Sequence, residues 1–295
     1  MDFNRDLLIR TQEIEKRIYK FMPELSGHQK TVLEAMDYSL RAGGKRLRPI
    51  LMDETYKLFG GKSNEIDPFI AAIEMIHTYS LVHDDLPAMD NDEYRRGKKT
   101  TWITYGEAMG ILGGDALLNY AFEIMSEGLI CSDDIKKSAK ALREIAKASG
   151  IYGMIGGQVV DVESSGFGLD KDKLDFIYRL KTGALIEASM TTGAIIAGAS
   201  EEEINVVRGI AIDVGMAFQI QDDILDVTST TQILGKPVLS DEKNQKTTYV
   251  TLMGINDAKC EVERISKRAL SQFEKLYGDK AFLQELILRL INREK

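Results

Sequence analysis

Two acidic clusters constrain this chain more than any other feature: Asp84-Asp85-Leu86-Pro87-Ala88-Met89-Asp90 and Asp222-Asp223-Ile224-Leu225-Asp226. Each closes an apolar, helix-like run, Ile73 to His83 before the first and Val214 to Gln221 before the second. Carboxylates among so many apolar residues are costly when buried and unpaired. Asp222 and Asp226 are four apart, so a helix presents them on one face. No Lys or Arg lies between residues 209 and 235 to offset their repulsion. Something positive must come from elsewhere, and a hard divalent cation is the natural candidate. Asp84 and Asp90 are six apart, which is not one face of a straight helix, but Pro87 lets the chain turn and bring Asp90 back toward Asp84. One Asp-Asp pair is more often a solvated helix end. Two such clusters, one of them holding a proline, favour a shared chemical task.

The rest of the composition is that of an ordinary soluble protein, with 44% hydrophobic and 28% charged residues in 295. Only five prolines and no long polar stretch argue against a linker, so residues 1–295 read as a single domain with room for a sizeable core. A net charge of −8 argues against a general nucleic-acid surface. Cys131 and Cys260 form no metal-like spacing and suggest a reducing compartment. The N-terminus lacks the plan of a signal peptide, and no run approaches a membrane span, so a cytoplasmic protein is expected.

Apolar residues recur at helical spacing nearly everywhere, which predicts an all-α bundle. Helices are expected over about residues 3–21, with Leu7, Ile14, Ile18 and Phe21 as a buried stripe, and over 28–41, stopping at Gly43-Gly44. The next begins near Leu47, with Pro49 in its first turn, and ends at Gly60-Gly61. Asp67-Pro68 reads as N-cap and first helical residue of a helix running to the first aspartates. Helices follow over 105–126, 132–150 and 154–162, with a loop over 164–168. Residues 171–199 form one long helix or two joined at Thr182-Gly183. Ser200-Glu201-Glu202-Glu203 resembles a capped start for a helix reaching Asp226. Residues 228–245 read as loop, and 256–276 and 280–292 as the last helices. Helix-interior glycines (Gly113, Gly156, Gly157, Gly183, Gly193, Gly215) suggest helices packed closely around a central one.

Basic and neutral polar groups complete the pattern. Gly43-Gly44-Lys45-Arg46-Leu47-Arg48-Pro49 sits at a helix start, where backbone N–H groups favour an anion and Lys45 and Arg48 add contacts suited to phosphate. His77, seven residues before Asp84, shares its helix face and on spacing alone is a core histidine. Arg95-Arg96-Gly97-Lys98-Lys99 follows the first cluster, where surface salt-bridging is the plain alternative. Thr182 and Gln219 are neutral oxygens on apolar helices, able to stabilise a carbocation without quenching it or simply bonded to backbone.

Taken in order, these motifs resemble the trans-polyprenyl diphosphate synthases, most closely the bacterial farnesyl branch, from about Gly43 to the C-terminus. The first cluster matches the longer form of the family's aspartate-rich motif, and Arg95-Arg96-Gly97 follows it as in the family. The resemblance implies an all-α bundle of antiparallel helices around a central cavity, usually a homodimer. It implies a Mg²⁺-dependent prenyltransferase, with three ions held by Asp84, Asp85 and Asp90 and by Asp222, Asp223 and Asp226. Isopentenyl diphosphate falls to Gly44, Lys45, Arg48, His77 and Arg96. The allylic diphosphate, dimethylallyl or geranyl, falls to Arg95, Lys181, Lys236 and Lys246, and the reacting carbons to Thr182 and Gln219. Trp102 stands where relatives commonly carry His, and Leu239 where a glycine is usual. Tyr79, five residues before Asp84, is implied as the floor that stops growth at C15, with Ser80 nearer the aspartate face. Alternatives are a geranylgeranyl (C20) or longer-chain synthase, a terpene cyclase lacking the second diphosphate site, or a non-catalytic helical subunit that binds prenyl diphosphates.

Overall fold

The structure is a computed structural model that describes residues 2–164, 166–228 and 247–291. The chain divides into two compact units, Met1–Asp53 with Lys62–Leu142 and Glu54–Gly61 with Arg143–Lys295. The boundaries fall inside α3 (Leu47–Leu58) and α7 (Ile135–Ser149).

The first unit also holds α1 (Phe3–Tyr19), α2 (Lys30–Leu40), α4 (Asp67–Asp84), α5 (Thr101–Tyr105) and α6 (Glu107–Ile130). Its core is α4, buried on nearly every side from Phe69 to Val82, as expected of a helix that is apolar all round. Ile14 and Ile18 of α1 are both buried, and α1 packs against α4. The helix α4 packs most extensively along α6, whose glycines admit it. A Cβ on Gly114 would lie 2.1 Å from His83 Nε2, and one on Gly110 would lie 2.9 Å from Leu86 Cδ2.

Two expectations change here. Asp67 is the first helical residue rather than the N-cap; a 3₁₀ turn, Asn64–Ile66, leads into α4, and the Asp67 carboxylate is held by Arg17 at 2.6 Å. The helix expected from Tyr105 is two, because Gly106 at φ +90° breaks it. A two-residue hairpin, β1 (Tyr94–Arg95) and β2 (Lys98–Lys99), was too short to show as alternation.

The second unit contains α8 (Met154–Glu163), α9 (Lys171–Ile177), a π-helical turn (Tyr178–Gly183), α10 (Ala184–Ala197) and α11 (Glu201–Thr228). It closes with α12 (Tyr249–Met253), α13 (Ile255–Phe273) and α14 (Ala281–Ile291). The join expected at Thr182-Gly183 is this π turn, which continues α9 into α10 without a loop. Ser200 caps α11 as read: its Oγ accepts from Glu203 N at 3.3 Å, and Glu203 Oε2 accepts from Ser200 N at 2.8 Å. The long helix α11 packs against α13 and α10. Beyond Thr228, the expected loop lies outside the described residues.

The π turn is gripped between glycines. A Cβ on Gly157 of α8 would fall 2.4 Å from Lys181 N, and one on Gly215 of α11 would fall 3.0 Å from Gly183 Cα. Both contacts are backbone, so neither neighbour can swing aside. Cys131 at the end of α6 and Cys260 in α13 are exposed. Among the described residues no helix is long and apolar enough to cross a membrane. Gly157→Ala should destabilise the fold by about 1–3 kcal/mol through overpacking, whereas Gly168→Ala, with no atom within 4 Å of its Cβ, should not. Urea unfolding of the two variants measures the difference.

Candidate active site

In the first unit, α4 ends at Asp84 and the chain folds back at Pro87 as its sequence indicates. Asp90 N donates to Asp84 O at 2.8 Å and Asp92 N to Asp85 O at 3.1 Å. This turn gathers Asp84, Asp85, Asp90 and Asp92. Asp85 is buried, and its Oδ1 accepts from Arg95 Nε at 2.7 Å and Nη2 at 2.6 Å. Burial raises the Asp85 carboxyl above its ordinary range; Arg95 opposes the rise, while Asp92 and Asp90 add to it.

The hairpin delivers both arginines. Arg96 (φ +55°) and Gly97 (φ +75°) form its two-residue turn. This leaves Arg95 on Asp85, while Arg96 donates through Nη1 to the carbonyl of Gly43. A Cβ on Gly44 would lie 2.6 Å from that guanidinium, and φ there is +136°, so glycine is needed for space and for backbone. Trp102 donates from Nε1 to Asp92 O at 2.9 Å, and Thr100 Oγ1 donates to the same oxygen at 2.9 Å. The departure at Trp102 therefore pins the acidic turn.

Lys45 is exposed at the start of α3. Arg46, unassigned by the sequence reading, is buried at φ +48°. It donates to Glu74 Oε1 at 2.6 Å, Glu15 Oε1 at 3.0 Å, Tyr19 Oη at 3.1 Å and Leu40 O at 2.6 Å. Burial works against its charge, and Glu74 overcomes that, holding its pKa above the ordinary value. Arg48 Nε is buried and has no hydrogen-bond partner among the described residues. Burial lowers its pKa to about 10, against the pull of Glu74 and with the push of Arg96. His77 is driven well below its ordinary value by burial, then by Arg48, Arg96, Arg95 and Arg46. Gly44, Arg48, His77 and Arg96 thus come together around a surplus of positive charge.

Tyr79 is buried and meets His83 edge-on at 5.7 Å between ring centroids. Burial and the nearby Asp84 push its hydroxyl up to about 12. Ser80 is half-buried and turns its Oγ back to His77 O at 2.9 Å.

In the second unit, the π turn brings two of the expected groups to α11 and α8. Thr182 Oγ1 donates to Gln219 Oε1 at 2.9 Å, and Lys181 Nζ donates to Asp161 Oδ2 at 2.5 Å. Asp161 was missed. Its signal is that it lies one turn beyond Gly157, which faces the Lys181 backbone. Asp222 is half-buried, and Asp223 and Asp226 are buried. Asp223 Oδ2 accepts from Tyr178 Oη at 2.7 Å and from Tyr249 N at 2.9 Å. Lys236, Leu239 and Lys246 lie outside the described residues.

Among the described residues no three carboxylate, imidazole or thiol groups enclose a cation by themselves. The carboxylates of the two acidic clusters are hard oxygen donors, the type that Mg²⁺ takes alongside phosphate oxygens and water.

The helical architecture is that of the prenyl synthases. A structure described as an FPP/GFPP synthase from Zymomonas mobilis superposes with a TM-score of 0.87 at 32% identity, covering 98% of this chain and 99% of that one. The polyprenyl synthetase family model matches residues 29–286, and the chain belongs to that family of prenyltransferases of isoprenoid biosynthesis. It is 44% identical over 250 residues to the farnesyl diphosphate synthase of Geobacillus stearothermophilus, covering 84% of this chain and 83% of the relative. It is 42% identical over 273 residues to a geranylgeranyl diphosphate synthase of Cyanophora paradoxa, covering 92% and 89%.

Arg46→Ala should cost about 3–5 kcal/mol of stability by leaving Glu74 buried and uncompensated. Adding Glu74→Gln to that variant should recover part of the loss, as urea denaturation of both would show.

Proposed function

We propose that this prenyltransferase condenses dimethylallyl and then geranyl diphosphate with isopentenyl diphosphate, releasing diphosphate and stopping at farnesyl diphosphate (C15). Isopentenyl diphosphate binds at Gly44, Lys45, Arg48, His77 and Arg96. The buried Arg48 Nε, without a partner among the described residues, supports an anion there. A neutral His77 can donate one hydrogen bond to such an anion without adding to the crowding of cations.

Asp84 and Asp90 in the first unit, and Asp222 and Asp226 in the second, would hold Mg²⁺, which when bound supplies positive charge to a diphosphate. Arg95 in the first unit and Lys181 in the second each carry a charge suited to a leaving diphosphate, the role also proposed for Lys236. As the allylic C–O bond breaks, the Thr182 and Gln219 oxygens face the carbocation with dipoles that stabilise it without forming a bond. The double bond of isopentenyl diphosphate attacks, and a proton passes to the released diphosphate. Apolar helix faces exclude the water that would trap the cation.

The observation that carries the C15 product is Tyr79. Its ring is buried and meets His83 edge-on, and the His83 ring lies over Gly114, where a Cβ would force it to shift. A ring so fixed blocks a chain that grows away from the aspartates.

Two outcomes follow. Asp84→Ala and Asp222→Ala should each lower kcat by on the order of 10²-fold or more while the fold persists; near-normal turnover of both at saturating Mg²⁺ would end the metal assignment. Tyr79→Ala should move products from C15 to C20 and longer, read by chromatography after dephosphorylation. An unchanged C15 pattern would remove Tyr79 from the role, and C20 from the native enzyme would favour the geranylgeranyl reading.

A further inference from the structure

Two hydrogen bonds tie the π turn to α11, one helical turn apart: Tyr178 to Asp223 and Thr182 to Gln219. Tyr178 and Thr182 are four apart, as are Gln219 and Asp223, and the pairings run in opposite order. Two such rungs fix the rotation of α11 about its axis and its slide along the turn. The second rung joins groups already assigned to the reacting carbons. The first joins a tyrosine with no assigned role to a member of the second acidic cluster.

Asp223 is further enclosed. It is 3% exposed, and its Oδ2 takes the backbone N–H of Tyr249 as well as the Tyr178 hydroxyl; both donors are neutral. The Tyr249 ring stacks on Tyr178 with centroids 5.7 Å apart, and its hydroxyl bonds Asp175. On an α-helix Asp223 points about 100° away from Asp222, while Asp226 points only about 40° from it. Holding Asp223 therefore aims Asp222 and Asp226 together at a different sector. A π turn is a costly irregularity that recurs at functional sites, and here it starts at Tyr178.

We propose that Tyr178 is a positioning residue for the second acidic cluster, and that Asp223 serves as its latch rather than as a metal ligand. Tyr178 sets the azimuth of the last turns of α11, so that Asp222 and Asp226 present their carboxylates to Mg²⁺. This rests on the reading of Asp222 as metal-holding and departs from the expectation that Asp223 joins the ligands.

Tyr178→Phe removes only the hydroxyl. In the full chain, with dimethylallyl and isopentenyl diphosphates, the Mg²⁺ concentration for half-maximal rate should rise and kcat fall, each by about tenfold. The KM for isopentenyl diphosphate and the thermal midpoint should stay near wild type, a split that general loosening of the fold would not produce. Asp223→Asn keeps an oxygen able to accept both hydrogen bonds and should retain activity within a few-fold of wild type. Asp222→Asn should lose on the order of 100-fold. Wild-type Mg²⁺ activation in Tyr178→Phe would overturn the proposal, as would an Asp223→Asn enzyme as impaired as Asp222→Asn. Should Tyr178→Phe fail to fold, the comparison of the two aspartate variants decides alone. Full activity in Asp222→Asn would overturn the metal reading itself, and the positioning role with it.

Discussion

The Arg46–Glu74 pair holds the first unit in its working arrangement. The helix α4 is buried almost all round, so a carboxylate in its middle is tolerable only if a cation reaches it. Arg46 does so from the turn before α3, and the same guanidinium also bonds α1 and the end of α2. One side chain thereby ties four helices together and fixes the backbone leading to Arg48. Because Arg46 is neutralised by Glu74 and Arg95 by Asp85, the remaining positive field comes from Arg48 and Arg96, beside His77. A multiply charged anion suits that field; a neutral ligand does not.

The second unit solves its charge problem differently. Asp213 pairs with Arg268 and Lys181 with Asp161, and Asp223 accepts from a phenol and a backbone N–H. The phenol and the N–H orient that carboxylate. Close backbone approach at Gly157, Gly183 and Gly215 makes this possible by bringing the π turn within reach of both α8 and α11.

Much of this was legible in the sequence because the relevant signals are local. The Pro87 fold-back, the Ser200 cap and the glycine stop after α2 each follow from residue types at fixed spacing. What was not legible depends on contacts distant in sequence or on irregular backbone. Arg46 reads as one more basic residue until Glu15 and Glu74, 31 and 28 positions away, arrive beside it. Tyr178 drew no reading, because nothing in its neighbourhood announces Asp223, 45 residues on. The hairpin at Tyr94–Arg95 is too short for alternation to register, and a π turn leaves no periodic trace in a sequence already apolar. Asp67 shows the converse error: a strong local N-cap signal lost to a distant arginine.

The placement of the two thiols has a practical consequence. Cys131 lies in the first unit and Cys260 in the second, and both are exposed. The native chain therefore carries one exposed thiol on each unit, at the end of α6 and on α13. A dye on either thiol would report on the unit that carries it, with no engineered cysteine to disturb the chemistry.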